Sequence, residues 1–288
     1  MPPTHDTPIL GMVARPHVEQ PTEYGCEATP QGWWTEWPSG LVDVSRTSHI
    51  VESDSASPPP LTSELVDIPC DGERVVRVKR AATAMVVIDM QNFFLHPELR
   101  DHPKGLACVD PLLKCLPALR AAGIKVLWVN WGLTDAELLT IPPSLVRGFQ
   151  KNGRGGFGSE LPAGFGRLLM RDAKNSMLHG PLQDDFEANR SKDVWIHKNR
   201  MSGLWGYQSA LDLYLQENGI TTLLFSGVNA DQCVGGTLVD AYYRGYDCIL
   251  VKDATATTSP EGGYENVVYN AGNSYGFVVD SARLAALT

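Results

Sequence analysis

Apolar positions follow two regimes along this chain. Up to about residue 80 they are scattered among Pro, Ser, Thr and Glu, with Pro58-Pro59-Pro60 in the middle and no sustained helical period. Trp33, Trp34 and Trp37 are too many large aromatics for a disordered tail, so residues 1–80 are expected to form an extension of loops and short strands, with a flexible leader over residues 1–20. Within it, Arg74 to Lys79 (RVVRVK) alternates charge and Val, as a half-exposed strand or hairpin arm does. From Ala81 the apolar residues gather into short solid runs separated by amphipathic stretches. Strands are predicted at Ala84 to Asp89, Ile124 to Asn130, Val194 to Lys198, Thr221 to Phe225 (ended by Ser226-Gly227), Tyr246 to Val251 and Tyr275 to Asp280. Helices are predicted at Val109 to Ala122, stopped by Gly123, at Trp205 to Asn218, stopped by Gly219, after Cys233 up to Gly245, and at Gly262 to Ala271. Six strands alternating with helices imply an α/β fold: a three-layer, mostly parallel, doubly wound sheet over residues 81–288. The Gly-rich connection 131–192 is long enough to be functional or to carry small elements of its own.

Composition narrows the function. Hydrophobic residues make up 43% of the 288 and charged residues 20%, enough for a sizeable core. The net charge of −9 argues against a general nucleic-acid binder and leaves small-molecule chemistry open. No apolar run reaches the roughly 20 residues of a membrane span. Met1 to Arg15 lacks the basic-then-apolar pattern of a secretory signal. The six cysteines show no CxxC or other zinc spacing, so free thiols in a cytoplasmic, reducing compartment are expected.

Three reactive groups stand at predicted strand ends. Asp89 ends the first strand, Lys198 ends the third, and Cys233 follows the fourth at the start of a helix. The carboxyl ends of parallel strands share one edge, so residues distant in sequence can meet in one crevice there. A thiol at a helix start gains help toward its thiolate from unpaired N–H groups and the helix dipole. Each residue alone also fits a plainer role: a buried inert cysteine, a turn carboxylate, a solvated lysine. The joint arrangement points to chemistry. Gln91, Phe94, Asn130, Trp131 and Trp205 follow strand ends and are candidates to line the crevice, with ordinary packing the alternative. Arg154, in the Gly-rich connection, could hold a substrate carboxylate bidentately or be solvated.

The motifs VVIDMQNFF at 86–94, HKNRMSGLWG at 197–206 and SGVNADQCVGGTLVDAYYRGYDCILVKDATA at 226–256 resemble the isochorismatase-like cysteine hydrolases. That family includes nicotinamidases, N-carbamoylsarcosine amidohydrolases and ureidoacrylate amidohydrolases. The resemblance spans about residues 81–288. It implies an Asp–Lys–Cys triad at Asp89, Lys198 and Cys233. It also implies a cis peptide bond at Val228–Asn229 and an oxyanion hole from the N–H groups of Asn229 and Cys233. The implied reaction is C–N bond hydrolysis of a small amide or ureido compound through a thioester, by a homo-oligomer (dimer or tetramer). Alternatives are vinyl-ether hydrolysis of the isochorismate type and non-catalytic binding on the same fold. Nicotinamidases of the family hold a metal through an Asp-x-His and a second His. Here Met90, Gln91, Asn92 and Phe93 follow Asp89, and Asn130-Trp131-Gly132 ends the second strand, so no metal and no cofactor is expected. His96, Asp101 and His102 are taken as loop residues.

Overall fold

The structure, a computed structural model, describes residues 16–29, 31–47, 49–50, 57–150, 153 and 155–287. Met1–Arg15, most of the expected leader, and Arg154 lie outside them. Five short strands come first: β1 (Thr22–Gly25), β2 (Trp33–Glu36), β3 (Leu41–Asp43), β4 (Leu65–Cys70) and β5 (Arg74–Lys79). They form one sheet in the order β1-β2-β3-β5-β4. The alternating RVVRVK run is β5, paired antiparallel with β4 and parallel with β3.

The second sheet follows. β6 (Thr83–Ile88) and β7 (Lys125–Trp131) open it, and a two-stranded hairpin of β8 (Glu160–Leu161) and β9 (Gly166–Arg167) sits in the long connection. β10 (Val194–Lys198), β11 (Thr222–Val228), β12 (Asp247–Ala256) and β13 (Gly276–Val279) complete it. The order is β10-β7-β6-β11-β12-β13, with every pairing parallel. β6 is TAMVVI, buried at every position, because both of its faces are covered. Ala84, Val86 and Ile88 join Leu211 and Leu215 of helix Ala210–Glu217 and Leu238 and Ala241 of helix Gly235–Tyr243. Met85 and Val87 join Leu112, Leu116 and Leu119 of helix Val109–Ala121. The result is three layers. Each Val, Leu, Ile or Met among them contributes about 1.5–3 kcal/mol by leaving water. Among the described residues no helix is long and apolar enough to cross a membrane.

Two boundaries differ from the sequence reading. β11 does not stop at Ser226-Gly227 but runs through it with a register shift between Phe225 and Gly227. The helix expected from Trp205 begins only at Ala210, where Ser209 accepts the Asp212 N–H at 3.2 Å and caps it. Gly206 and Gln208, at φ 85° and 55°, keep the preceding segment out of helical geometry. The connection 131–192 carries helices Asp135–Leu138, Pro143–Phe149 and Pro181–Asn189 beside the β8–β9 hairpin.

The five-stranded sheet rests on the β12–β13 side. Arg46 reaches Asp247 bidentately at 2.7 and 2.8 Å, and Thr222 Oγ1 adds a third bond to the same carboxylate at 3.0 Å. Asp71 pairs with both Lys252 and Arg283 at 2.7 Å, and the Trp34 ring meets Phe277 at 5.8 Å.

Candidate active site

The chain builds β6, β7 and β10 outward in one direction and then returns to the other flank of β6 for β11. The crevice of an open α/β sheet lies at such a reversal, outside the carboxyl ends of the strands. Asp89 leaves β6 with φ 54°, its N–H donating to Val129 O at 3.2 Å. Lys198 ends β10, two strands away. Its side chain crosses the end of β7 over the Trp131 ring, with Nζ 3.9 Å from the ring centroid. From there Nζ reaches Asp89 Oδ2 at 2.9 Å and Cys233 Sγ at 3.6 Å. The carbonyls of Met201 and Arg200, at 3.0 and 3.2 Å, complete the set of acceptors that share its three protons. The ion pair is dry, with side chains 2% and 0% exposed. The three groups singled out at strand ends therefore meet at one point.

Cys233 sits in the wide turn Ala230–Val234, which runs directly into helix Gly235–Tyr243. The Val228–Asn229 peptide bond before this turn is cis. Gly227, at φ 109°, makes the close approach of β11 to β6 possible, since a Cβ there would lie 1.9 Å from Ile88 O. Thr237 Oγ1 donates to Cys233 O at 2.6 Å and accepts from Gly203 N at 3.0 Å, which ties the turn to the segment after Lys198. Thr257 Oγ1 holds Asp231 at 2.6 Å.

Burial pushes the Cys233 thiol up to about 12, with the Lys198 charge pulling the other way. Burial also raises the Asp89 carboxyl, opposed by Lys198 and by a hydrogen bond from the thiol. Burial thus raises both groups and the Lys198 charge lowers both. The Trp131 N–H steadies Asp89 Oδ1 at 3.3 Å.

The lining candidates separate. Trp131 is buried beneath Lys198, and Phe94 is buried against Phe93, with ring centroids 4.9 Å apart. Gln91 is a brace: Nε2 donates to Trp131 O and Ser176 O, and Oε1 accepts from Trp131 N. Asn130 is fully buried at the end of β7, and neither Nδ2 nor Oδ1 has a protein partner. Trp205 is 44% exposed, in the segment before the shortened helix. His102 is committed as well: Nδ1 accepts from Gly105 N at 2.9 Å, so Nε2 carries the proton it shares with Asn229 Oδ1 at 2.8 Å.

Several residues at this site gave no signal in the sequence. Phe149 and Phe157 reach in from the long connection, stacked on each other at 4.2 Å, and lie 5.6 and 5.1 Å from the Trp131 ring. With Phe93, 6.4 Å from Phe149, they make an aromatic wall. Arg100 lies over Phe93 and Phe94, its guanidinium carbon 5.1 and 5.8 Å from the ring centroids. A separate cavity of about 750 Å³ opens at the other edge of the sheet, by Trp33, Trp34, Tyr246 and Phe277. Asp89, Lys198 and Cys233 are not among the residues that line it.

The isochorismatase domain model matches residues 83–283. Ureidoacrylate amidohydrolase RutB of Methylobacterium radiotolerans is 28% identical over 208 residues, 70% of this chain and 78% of that protein. RutB of Acinetobacter baylyi is 29% identical over 205 residues, 69% and 80% of the two chains. The crystal structure of N-carbamoylsarcosine amidase from Thermoplasma acidophilum superposes with a TM-score of 0.53 at 26% identity, covering 69% of this chain and 96% of that one. Nicotinamidase PncA from Bacillus subtilis shares the fold, with a TM-score of 0.54 at 23% identity.

Proposed function

This chain belongs to the isochorismatase family, and on that premise we propose that it is a cysteine hydrolase of a small amide or ureido compound. One observation carries the reading: a buried ammonium lies 2.9 Å from the Asp89 carboxylate and 3.6 Å from the Cys233 sulfur. The relatives named above as amidohydrolases and an amidase support the bond class.

The steps follow from the groups. Asp89 takes the thiol proton as Sγ attacks the carbonyl carbon, and the C=O electron pair moves onto oxygen. The oxyanion is assigned to the backbone N–H groups of Asn229 and Cys233. On collapse the C–N bond breaks, and Asp89 returns its proton to the departing nitrogen. A thioester remains on Cys233. Asp89 then draws a proton from water, the hydroxide adds to the thioester carbonyl, and the C–S bond breaks to release the acid as Asp89 returns that proton to the departing sulfur. Lys198 offsets negative charge on whichever of Asp89 and Cys233 carries it, which keeps the proton transfer feasible in a dry site. The aromatic wall excludes bulk water around these charges.

Cys233→Ala is expected to reduce turnover of any accepted amide by about three orders of magnitude or more, with little change in stability. Mass spectrometry of enzyme quenched during turnover should find the acyl part of the substrate on Cys233. Near-normal turnover by Cys233→Ala would end this reading in favour of vinyl-ether hydrolysis, which needs no thioester.

A further inference from the structure

The turn that carries Cys233 is tied to one residue, Asn229. The Asn229 carbonyl accepts from Gln232 N and Val234 N, both at 3.1 Å, so the residues on either side of the cysteine are held from a single oxygen. The Asn229 side chain is held from outside the turn. Its Oδ1 accepts from His102 Nε2 at 2.8 Å and from Thr258 N, just past the end of β12, at 3.3 Å. His102 comes from the connection between β6 and helix Val109–Ala121, and it is 1% exposed. Its ring packs against Gly105, where a Cβ would lie 3.0 Å from two ring atoms, and its Nδ1 accepts from Gly105 N at 2.9 Å. Burial lowers the imidazole, which favours the neutral ring with its one proton on Nε2, aimed at Asn229. With both nitrogens engaged, His102 is not placed to exchange protons with a substrate. What it controls is where Asn229 sits. Among the described residues no backbone carbonyl takes the Asn229 N–H, the group assigned above to the oxyanion.

We propose that His102 is a positioning residue of this site. Through the Asn229 side chain it seats the turn that carries Cys233, and it holds the Asn229 N–H where the oxygen of an attacked carbonyl gains charge. The oxyanion clause deepens the cysteine-hydrolase reading and rests on it. Donors fixed before the reaction are what stabilise a developing oxyanion, and losing one costs about 10²–10³ in rate. A donor that stays but is held less well is expected to cost less, about tenfold.

The test sets a reaction that builds an oxyanion against one that does not, at the same sulfur. With p-nitrophenyl acetate, sulfur adds to the carbonyl carbon, charge passes onto the oxygen, and p-nitrophenolate leaves. With iodoacetamide, sulfur displaces iodide from a saturated carbon and no oxyanion forms. Acylation is followed as the burst of p-nitrophenolate that is absent from Cys233→Ala. Alkylation is followed by peptide mass spectrometry, with exposed Cys26 as the reference. In His102→Leu the acylation-to-alkylation rate ratio at Cys233 should fall about tenfold. His102→Gln, whose amide N–H stands near the imidazole Nε2, should keep most of it. Asn229→Ala removes Oδ1 and leaves the backbone N–H; it should lower the ratio at least as far, and adding His102→Leu should lower it no further. Circular dichroism and a urea melt establish that each variant is folded. A ratio unchanged in folded His102→Leu or folded Asn229→Ala, including one in which both rates fall together, overturns the proposal, even if Cys233→Ala abolishes amide turnover and leaves the hydrolase reading standing. A wild-type protein with no Cys233-dependent burst overturns the oxyanion clause and that reading with it. A ratio that collapses in His102→Leu of a protein that hydrolyses no amide supports the positioning role and counts against amide hydrolysis alone.

Discussion

At the scale of single residues the site is a problem of buried charge. Lys198 and Asp89 are both dry, and the energy that keeps them so is mutual. Removing one partner of a buried pair strands the other, at about 3–5 kcal/mol. Lys198→Met should therefore unfold in urea with roughly that loss at pH 7. Its sign with pH is fixed. Without the ammonium the folded Asp89 carboxyl lies above its unfolded value, so the penalty grows as pH rises past the unfolded value and shrinks toward acid. The difference from wild type should be smaller at pH 5 than at pH 7, and a pH-independent difference would mean that Asp89 is not the stranded group. Asn130 allows a milder test. An amide fully buried with no protein partner costs about 1–3 kcal/mol relative to a satisfied one. Asn130→Leu should therefore raise the urea midpoint; a fall would show that Asn130 braces the strand. Asp89, Lys198 and Cys233 were legible in the sequence because parallel strands deliver their carboxyl ends to one edge, so position along a strand predicts position in space. Arg100, Phe149 and Phe157 were not. They sit in connections whose course depends on tertiary contacts, such as the hydrogen bond between His102 and Asn229.

At the scale of elements, the turn between β11 and the following helix decides whether Cys233 meets Asp89. β11 comes within backbone contact of β6 at Gly227, where its register with β6 is unbroken while its register with β12 shifts. Gly227→Ala is expected to cost at least about 1–3 kcal/mol of overpacking, plus the strain of a positive φ. Because the same displacement separates Cys233 from Asp89, iodoacetamide labelling of Cys233 and turnover should change together with stability. A variant with wild-type turnover would show that the approach is not required. Strand interiors were readable because solid apolar runs of five or six residues have few other uses in a chain this size. The sequence reading ended β11 at Ser226-Gly227, treating the glycine as a stop; it is instead the place where one strand lets another pass. The helix after Trp205 fails for the complementary reason. The apolar spacing continues upstream of Ala210, but the Ser209 cap and the positive φ of Gln208 override it.

At the scale of the whole molecule, the thiols are the feature with a measurable consequence. Five of the six cysteines are buried, and they span both sheets and the helix between them: Cys70 in β4, Cys108 and Cys115 at helix Val109–Ala121, Cys233 in the turn and Cys248 in β12. Burial pushes Cys70, Cys108, Cys115 and Cys233 up to about 12, and Cys248 moves in the same direction. A group whose folded value lies above its unfolded value favours the fold fully below the unfolded value and loses that contribution as pH rises. Above about pH 9 the unfolded chain releases these protons while the folded chain keeps them, and each thiol then adds a slope of up to about 1.4 kcal/mol per pH unit. Urea unfolding under reducing conditions should show stability falling steeply from pH 8.5 to pH 10. Replacing Cys115 with Ala should flatten the slope by one thiol's share and cost some packing at every pH. The same titration bears on the site. If Lys198 favoured a resting thiolate at Cys233, that residue would drop out of the linkage, and Cys233→Ala would leave the alkaline slope unchanged. A slope reduced by Cys233→Ala places the proton on sulfur until the substrate arrives, which is the state the proposed proton transfer to Asp89 starts from.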